Sequence, residues 1–143
     1  MFVKQLSIFV ENKPGRLIAV IDALAKKGID ISALSIADTT DYGVVRMIVN
    51  DPEAAVSALN EIGVFVKLTD VIAVTIKDSC GGLSESLHTI TDAGIEILYM
   101  YAFVGKISGK AIMVLKADDM NRAVDLFKSS ETEVLSAKDV YRL

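Results

Sequence analysis

One cysteine, two prolines, one histidine and no tryptophan stand in a chain of 143 residues. The lone Cys80 cannot close an internal disulfide, which suits a reducing cytoplasm. His88 has no second histidine or thiol cluster to join it in a metal set. Cys80, without a neighbouring base, makes a poor nucleophile. Fifteen basic residues are scattered among nineteen acidic ones for a net charge of −4. A nucleic-acid surface needs clustered cations and is therefore disfavoured. No apolar run approaches the ~18 residues of a membrane-spanning helix. Met1-Phe2-Val3-Lys4-Gln5 lacks the basic segment and apolar run of a signal peptide. Gly81-Gly82 is not followed by Lys-Ser/Thr, so it is no phosphate-binding P-loop. These absences lead to the expectation of a soluble, cytoplasmic, non-catalytic chain with no cofactor and no metal.

What the chain has is a repeat. Leu6-Ser7-Ile8-Phe9-Val10-Glu11-Asn12-Lys13-Pro14-Gly15-Arg16-Leu17 returns as Ile72-Ala73-Val74-Thr75-Ile76-Lys77-Asp78-Ser79-Cys80-Gly81-Gly82-Leu83. Lys27-Gly28-Ile29-Asp30-Ile31 returns as Ala93-Gly94-Ile95-Glu96-Ile97. The offset is constant, since 81 − 15 and 97 − 31 are both 66. Two modules are expected, residues 1–69 and 70–143. Modules of ~70 residues are marginal alone, so they should share an interface.

Periodicity gives each module the same order of elements. Val3 to Val10 reads as a strand, and Leu17, Val20, Ile21, Leu24 and Ala25 recur at helical spacing up to the cap Gly28. Ile29 to Ala37 and Val44 to Val49 read as strands around a turn at residues 38–43. Asp51-Pro52-Glu53 opens a second helix, and Val64 to Leu68 is a fourth strand. The second module reads as Val71 to Ile76, a helix over 83–93, Ile95 to Val104, a turn at 105–109, Ala111 to Leu115, a helix over 118–128, and Val134 to Ala137. A two-residue slip in the offset places an insertion near Ala117-Asp118.

The order β-α-β-β-α-β is the split βαβ, or ferredoxin-like, arrangement. Right-handed crossovers put both helices of a module on one sheet face. The second strand then lies at an edge and needs a partner. The sequence therefore predicts an α+β fold with two such modules side by side. Their second strands, Ile29 to Ala37 and Ile95 to Val104, would pair into one eight-stranded antiparallel sheet with helices on one face.

The most specific local signal is the strand–Asn-Lys-Pro-Gly-Arg-Leu–helix junction. Gly15 lets backbone approach a ligand, and a helix N-terminus offers unpaired N–H groups. The simpler reading is that Asn12 and Pro14-Gly15 only turn the chain and cap a helix. Asn12-x-Pro14-Gly15-x-Leu17, followed after one helix by Gly28-Ile29-Asp30-Ile31, resembles the ACT domain, a small regulatory module that binds amino acids. The resemblance extends over nearly the whole chain as a tandem pair. It implies a free amino acid held between two modules, by the first strand–helix loop of one and the start of the second strand of its neighbour.

Carried over by position, the resemblance implies ligand-binding roles for Asn12, Gly15, Arg16, Leu17 and Asp30 in the first repeat. In the second it implies Asp78, Gly81, Gly82, Leu83 and Glu96. Backbone N–H groups would hold the carboxylate, and Asp30, Glu96 or Asp78 the ammonium. The second loop departs from the pattern, with Cys80 in place of proline and Asp78 in place of asparagine, so two equal sites are not expected. Tyr99 and Tyr101 alternate with Met100 on the second edge strand, so only one set can line a pocket; Met100 is the candidate. The implied function is an amino-acid sensor acting on an unknown enzyme or regulator; the outer sheet edges and uncovered faces that remain after the halves pair lead to the expectation of a homodimer. The rival reading is a structural or protein-interaction module without a small ligand, and a third is a small enzyme using Cys80 or an acid of the second loop.

Overall fold

The chain is described from a computed structural model covering residues 2–38, 41–105 and 108–143. It divides into two compact units. One comprises Lys4–Thr69 with Tyr141–Leu143; the other comprises Asp70–Val140 with Phe2 and Val3.

The first unit runs β1 (Val3–Glu11), α1 (Arg16–Lys26), β2 (Ile31–Asp38), β3 (Tyr42–Val49), α2 (Pro52–Glu61) and the opening of β4 (Phe65–Lys77). Its strands follow the order β2-β3-β1-β4. β3 is antiparallel to both its neighbours, with Val45 opposite Ile8 on one side and Ile36 on the other. Alternation sends Leu6, Ile8, Val45 and Met47 to one face, where they pack with Val20 and Leu24 of α1 and Leu59 of α2. All seven are fully buried. Burying an aliphatic side chain of this size contributes about 1.5–3 kcal/mol.

The second unit continues with the rest of β4, then α3 (Gly82–Thr91), β5 (Ile97–Ala102), β6 (Lys110–Ala117), α4 (Met120–Lys128), β7 (Glu133–Val134) and α5 (Ala137–Tyr141). Here β5, β6 and β4 are neighbours in that order, and β7 also pairs with β4. Ile72, Val74, Ile90, Leu115, Val124 and Phe127 form its core. No helix among the described residues is long and apolar enough to cross a membrane.

Four sequence expectations need correction. The described strands number seven, not eight, because Val64 to Leu68 and Val71 to Ile76 are one strand, β4. Leu68-Thr69-Asp70-Val71 contains neither glycine nor proline, so nothing breaks the extended backbone there. The two second strands do not pair with each other: β2 pairs with β3, and β5 with β6. The insertion lies earlier than expected. Lys110–Ala117 already stands 68 beyond Tyr42–Val49, since 110 − 42 and 117 − 49 are both 68. It therefore falls in the β5–β6 connection, of which residues 106 and 107 lie outside the described residues, as do residues 39 and 40 of the equivalent first-module turn. The last strand is cut to two residues, and the chain turns into α5, which the periodicity did not announce.

The four long helices start in two ways. Asp51 and Asp119 cap α2 and α4, each accepting a backbone N–H three residues on at 3.1 Å. By contrast, α1 and α3 begin on Gly15 and Gly81, both left-handed, with no side-chain cap.

Candidate ligand site at the first strand–helix loop

β1 ends at Glu11, and the chain folds back within four residues to start α1. The Lys13 N–H donates to the Glu11 carbonyl at 2.8 Å, and the Arg16 N–H to the Lys13 carbonyl at 3.3 Å. Gly15, at φ 83°, makes the reversal that an L side chain resists. Nothing lies within 4 Å of the position a Cβ would occupy there. Lys13 Nζ pairs with Glu11 Oε2 at 3.0 Å. The Lys13 hydrogen bond and charge hold the Glu11 carboxyl below the usual carboxylate range, with a smaller contribution from Arg16. Both partners are solvated, so the pair orders the loop more than it stabilises the fold.

Strand register brings a second acid to this loop. Glu11 lies opposite Tyr42, and Asp38 opposite Gly43, so β3 carries the end of β2 alongside the end of β1. Asn12 Nδ2 donates to Asp38 Oδ1 at 2.6 Å, while the Asn12 N–H donates to the Asp41 carbonyl at 3.1 Å. Beside this pair opens a cleft of about 300 Å³. Val10, Leu17, Ile36 and Val45 supply its apolar lining, and Asn12 and Asp38 its polar side. Val45 is fully buried, whereas Leu17 and Ile36 remain 37% and 51% exposed.

A neighbouring groove of about 490 Å³ is lined by Phe9, Arg16, Tyr42, Ile62 and Phe65. The Phe9 and Phe65 rings lie 5.4 Å apart at 47°. Phe9, Tyr42, Ile62 and Phe65 are all exposed. Neither Phe9 nor Phe65 is marked as a site residue by the sequence motif, although alternation along β1 and β4 places both opposite the core-facing residues.

Of the residues expected in the first module, Asn12 and Leu17 meet at the cleft, Gly15 starts the helix beside it, and Arg16 lines the neighbouring groove. Asp30 is not brought to them within the module. It precedes β2, at the opposite end of that strand from Asp38, roughly 25 Å away at ~3.3 Å per residue. Its backbone is held there by Asn50, which accepts the Asp30 N–H at Oδ1, 3.0 Å, and donates its own N–H to the Asp30 carbonyl, 3.1 Å. Glu96 has the same arrangement with Asp118, at the same two distances.

The second loop has a similar backbone course and a different surface. The Asp78 N–H donates to the Gly109 carbonyl at 3.1 Å, and Gly81 turns the chain at φ 85°. Gly82, however, is buried, and a Cβ there would collide with the Lys77 carbonyl oxygen. The first module carries Arg16 at this position, so the second loop sits closer to its strand. Glu85 adds an acid to the first turn of α3, where α1 has none. A hollow of about 140 Å³ in this unit is bounded by Gly82, Thr75, Ser86 and Thr132, and its hydroxyls are engaged: Thr132 donates to Ser86 at 3.2 Å, and Thr75 to Glu133 at 3.3 Å. Leu83 is exposed, while Met100 is half-buried and packs against the second core. His88 and Asp92 form an exposed pair one helical turn apart at 3.0 Å. Among the described residues no cluster of three or more His, Cys, Asp or Glu could hold a metal ion.

Comparison with known proteins agrees with this architecture. The family model described as an ACT domain pair matches residues 1–143. Among solved structures, protein BT0572 from Bacteroides thetaiotaomicron is 38% identical, with a TM-score of 0.93, covering 100% of this chain and 98% of that one. The regulatory subunit of aspartate kinase from Thermus thermophilus, in its ligand-free form, has a TM-score of 0.64 at 16% identity, with 90% and 91% of the two chains covered. That from Thermus flavus has a TM-score of 0.56 at 18% identity, with 89% and 92% covered. These two share the fold. No curated protein matches. With two βαββαβ modules, glycine-started first helices in both and a family match over its full length, the chain belongs to the ACT domain pair family.

Proposed function

We propose that this chain is a non-catalytic regulatory module that binds a free amino acid at the first strand–helix loop. The observation that carries the reading is the Asn12–Asp38 pair, set beside an apolar cleft and a helix N-terminus that no side chain caps. First-turn N–H groups of α1 other than that of Arg16, which is donated to the Lys13 carbonyl, receive the carboxylate, favoured by the positive end of the helix dipole. Asp38, oriented by the Asn12 amide, takes the ammonium. Charge-assisted hydrogen bonds of this kind contribute about 1.5–3 kcal/mol each. Gly15 leaves the approach open because it presents no side chain. The likeness in fold to two regulatory subunits of aspartate kinase supports a regulatory role.

In this reading the second loop, with Asp78, Gly81, Gly82 and Leu83, is an altered copy that binds an anion poorly, and Glu96 and Met100, before and on β5, belong to that weaker copy. The Glu85 charge and the close-packed Gly82 act against it. The ligand acts through different affinities for two states of the protein. The protein is cytoplasmic, and its target is an enzyme or regulator. Leu34 on β2 and Leu98 on β5 are exposed, which supports a homodimer formed along these strands. Calorimetric titration of the full chain with each of the twenty amino acids tests the reading. It fails if none binds at ~1 mM, the concentration equivalent to about 4 kcal/mol of affinity. The exposed Phe9–Phe65 pair favours one rival, a protein-interaction module that needs no small ligand.

A further inference from the structure

We infer that the amino acid taken by the first loop carries an aliphatic side chain, selected by Val10, Leu17, Ile36 and Val45. This inference rests on the amino-acid reading above and narrows it. The cleft has two chemically distinct sides. Its acids are already oriented toward partners on the loop: Asp38 accepts from Asn12, and Glu11 pairs with Lys13. Both belong to the polar side. The apolar part of the lining combines one residue from each of β1, α1, β2 and β3, and all four are aliphatic.

A ligand held by its ammonium at Asp38 lays its side chain against this lining. A hydroxyl, amide or charged side chain would give up water there without gaining a hydrogen-bond partner from Val, Leu or Ile. An alkyl chain gains by covering Leu17 and Ile36, which are otherwise 37% and 51% exposed. Among the described residues no aromatic side chain lines the cleft, so ring stacking supplies no preference for an aromatic ligand. At about 300 Å³, the cleft is at the small end of ligand pockets, as a single amino acid requires.

The experiment titrates the full chain with isoleucine, leucine, valine, alanine, aspartate, lysine and threonine. Isoleucine and leucine should bind, with alanine weaker by about fourfold for each methylene removed. Ile36→Ala and Leu17→Ala should each lower isoleucine affinity several-fold and alanine affinity less than twofold, because only the longer chain reaches that lining. Both replaced residues are at least one-third exposed, and unchanged circular dichroism confirms that each variant folds. Binding of aspartate, lysine or threonine without the aliphatic amino acids overturns this inference and leaves the amino-acid reading standing. Equal losses for isoleucine and alanine in both variants also overturn it. If none of the twenty amino acids binds the parent chain, both readings fall.

Discussion

Asn12 and Asp38 lie 26 residues apart in the chain, yet their side chains meet at 2.6 Å where the ends of β1 and β2 come alongside β3. Asn12 follows a strand in the motif that resembles the ACT domain loop, and Asp38 closes a strand in a segment that reads as a turn. Their contact converts a chain reversal into a polar station beside an apolar cleft. In the proposed binding mode, Asp38→Asn should lower amino-acid affinity by tenfold or more, since it removes the charge assigned to the ammonium. Asn12→Ala should lower it several-fold through lost orientation of that carboxylate. Because both residues are exposed, neither change should alter unfolding free energy by more than about 1 kcal/mol. Calorimetry and urea denaturation on the same preparations separate the two effects.

The two loops should respond differently to the same substitution. Gly82→Ala forces a Cβ onto the Lys77 carbonyl oxygen and should cost about 1–3 kcal/mol in stability. Gly15→Ala meets no neighbour but must hold φ 83°, a strain of about 1–2 kcal/mol. Arg16→Ala, the counterpart of the Gly82 change, should stay within ~0.5 kcal/mol. Denaturant midpoints of the three variants provide the comparison. A Gly82→Ala variant as stable as the parent would show that α3 can shift off its strand at no cost.

The caps of α2 and α4 are expected to be equivalent despite the two-residue insertion between them. Asp51→Ala and Asp119→Ala should each destabilise by about 1 kcal/mol, through loss of a single hydrogen bond to a first-turn N–H. Amide hydrogen exchange at Ala54 and Arg122 reports each cap directly, with faster exchange expected only in the matching variant.

Glu11 sets the pH dependence of the loop. Its carboxyl is held low by Lys13, so the paired form is fully present above the ordinary glutamate pKa of ~4.3. It is lost as the pH falls through the lowered value. Lys13→Met should raise the Glu11 pKa toward the ordinary range in a carboxyl NMR titration. If Glu11 titrates identically in both proteins, the Lys13 pair is not populated in solution.

Much of the architecture was legible because it is local. The period of two in Leu6, Ile8 and Val10, the period of 3.6 in Leu17, Val20, Ile21 and Leu24, and the Asp-Pro start of α2 each follow from neighbours in sequence. The continuity of β4 was also readable, since no residue between Leu68 and Val71 breaks a strand. The β2–β5 pairing expected from the edge problem did not form, because an unpaired edge states that a partner is needed without specifying which one. Asp38 carries no site signal in the sequence, because Asp-Thr-Thr-Asp reads as a turn. Only the cross-strand register through Gly43 brings its carboxylate to Asn12.

By itself, the sequence determined the duplication, the β-α-β-β-α-β order up to the last short strand and the glycine-started helices. These depend on side-chain periodicity and on backbone angles that only certain residues tolerate. Tertiary structure decided which acid faces the loop, placing Asp38 beside Asn12 and Asp30 at the far end of the same strand. It also pressed Gly82 against the Lys77 carbonyl while leaving Arg16 clear. The physical reason is register. Hydrogen bonding across β3 fixes which strand ends coincide, and no spacing along the chain encodes that choice.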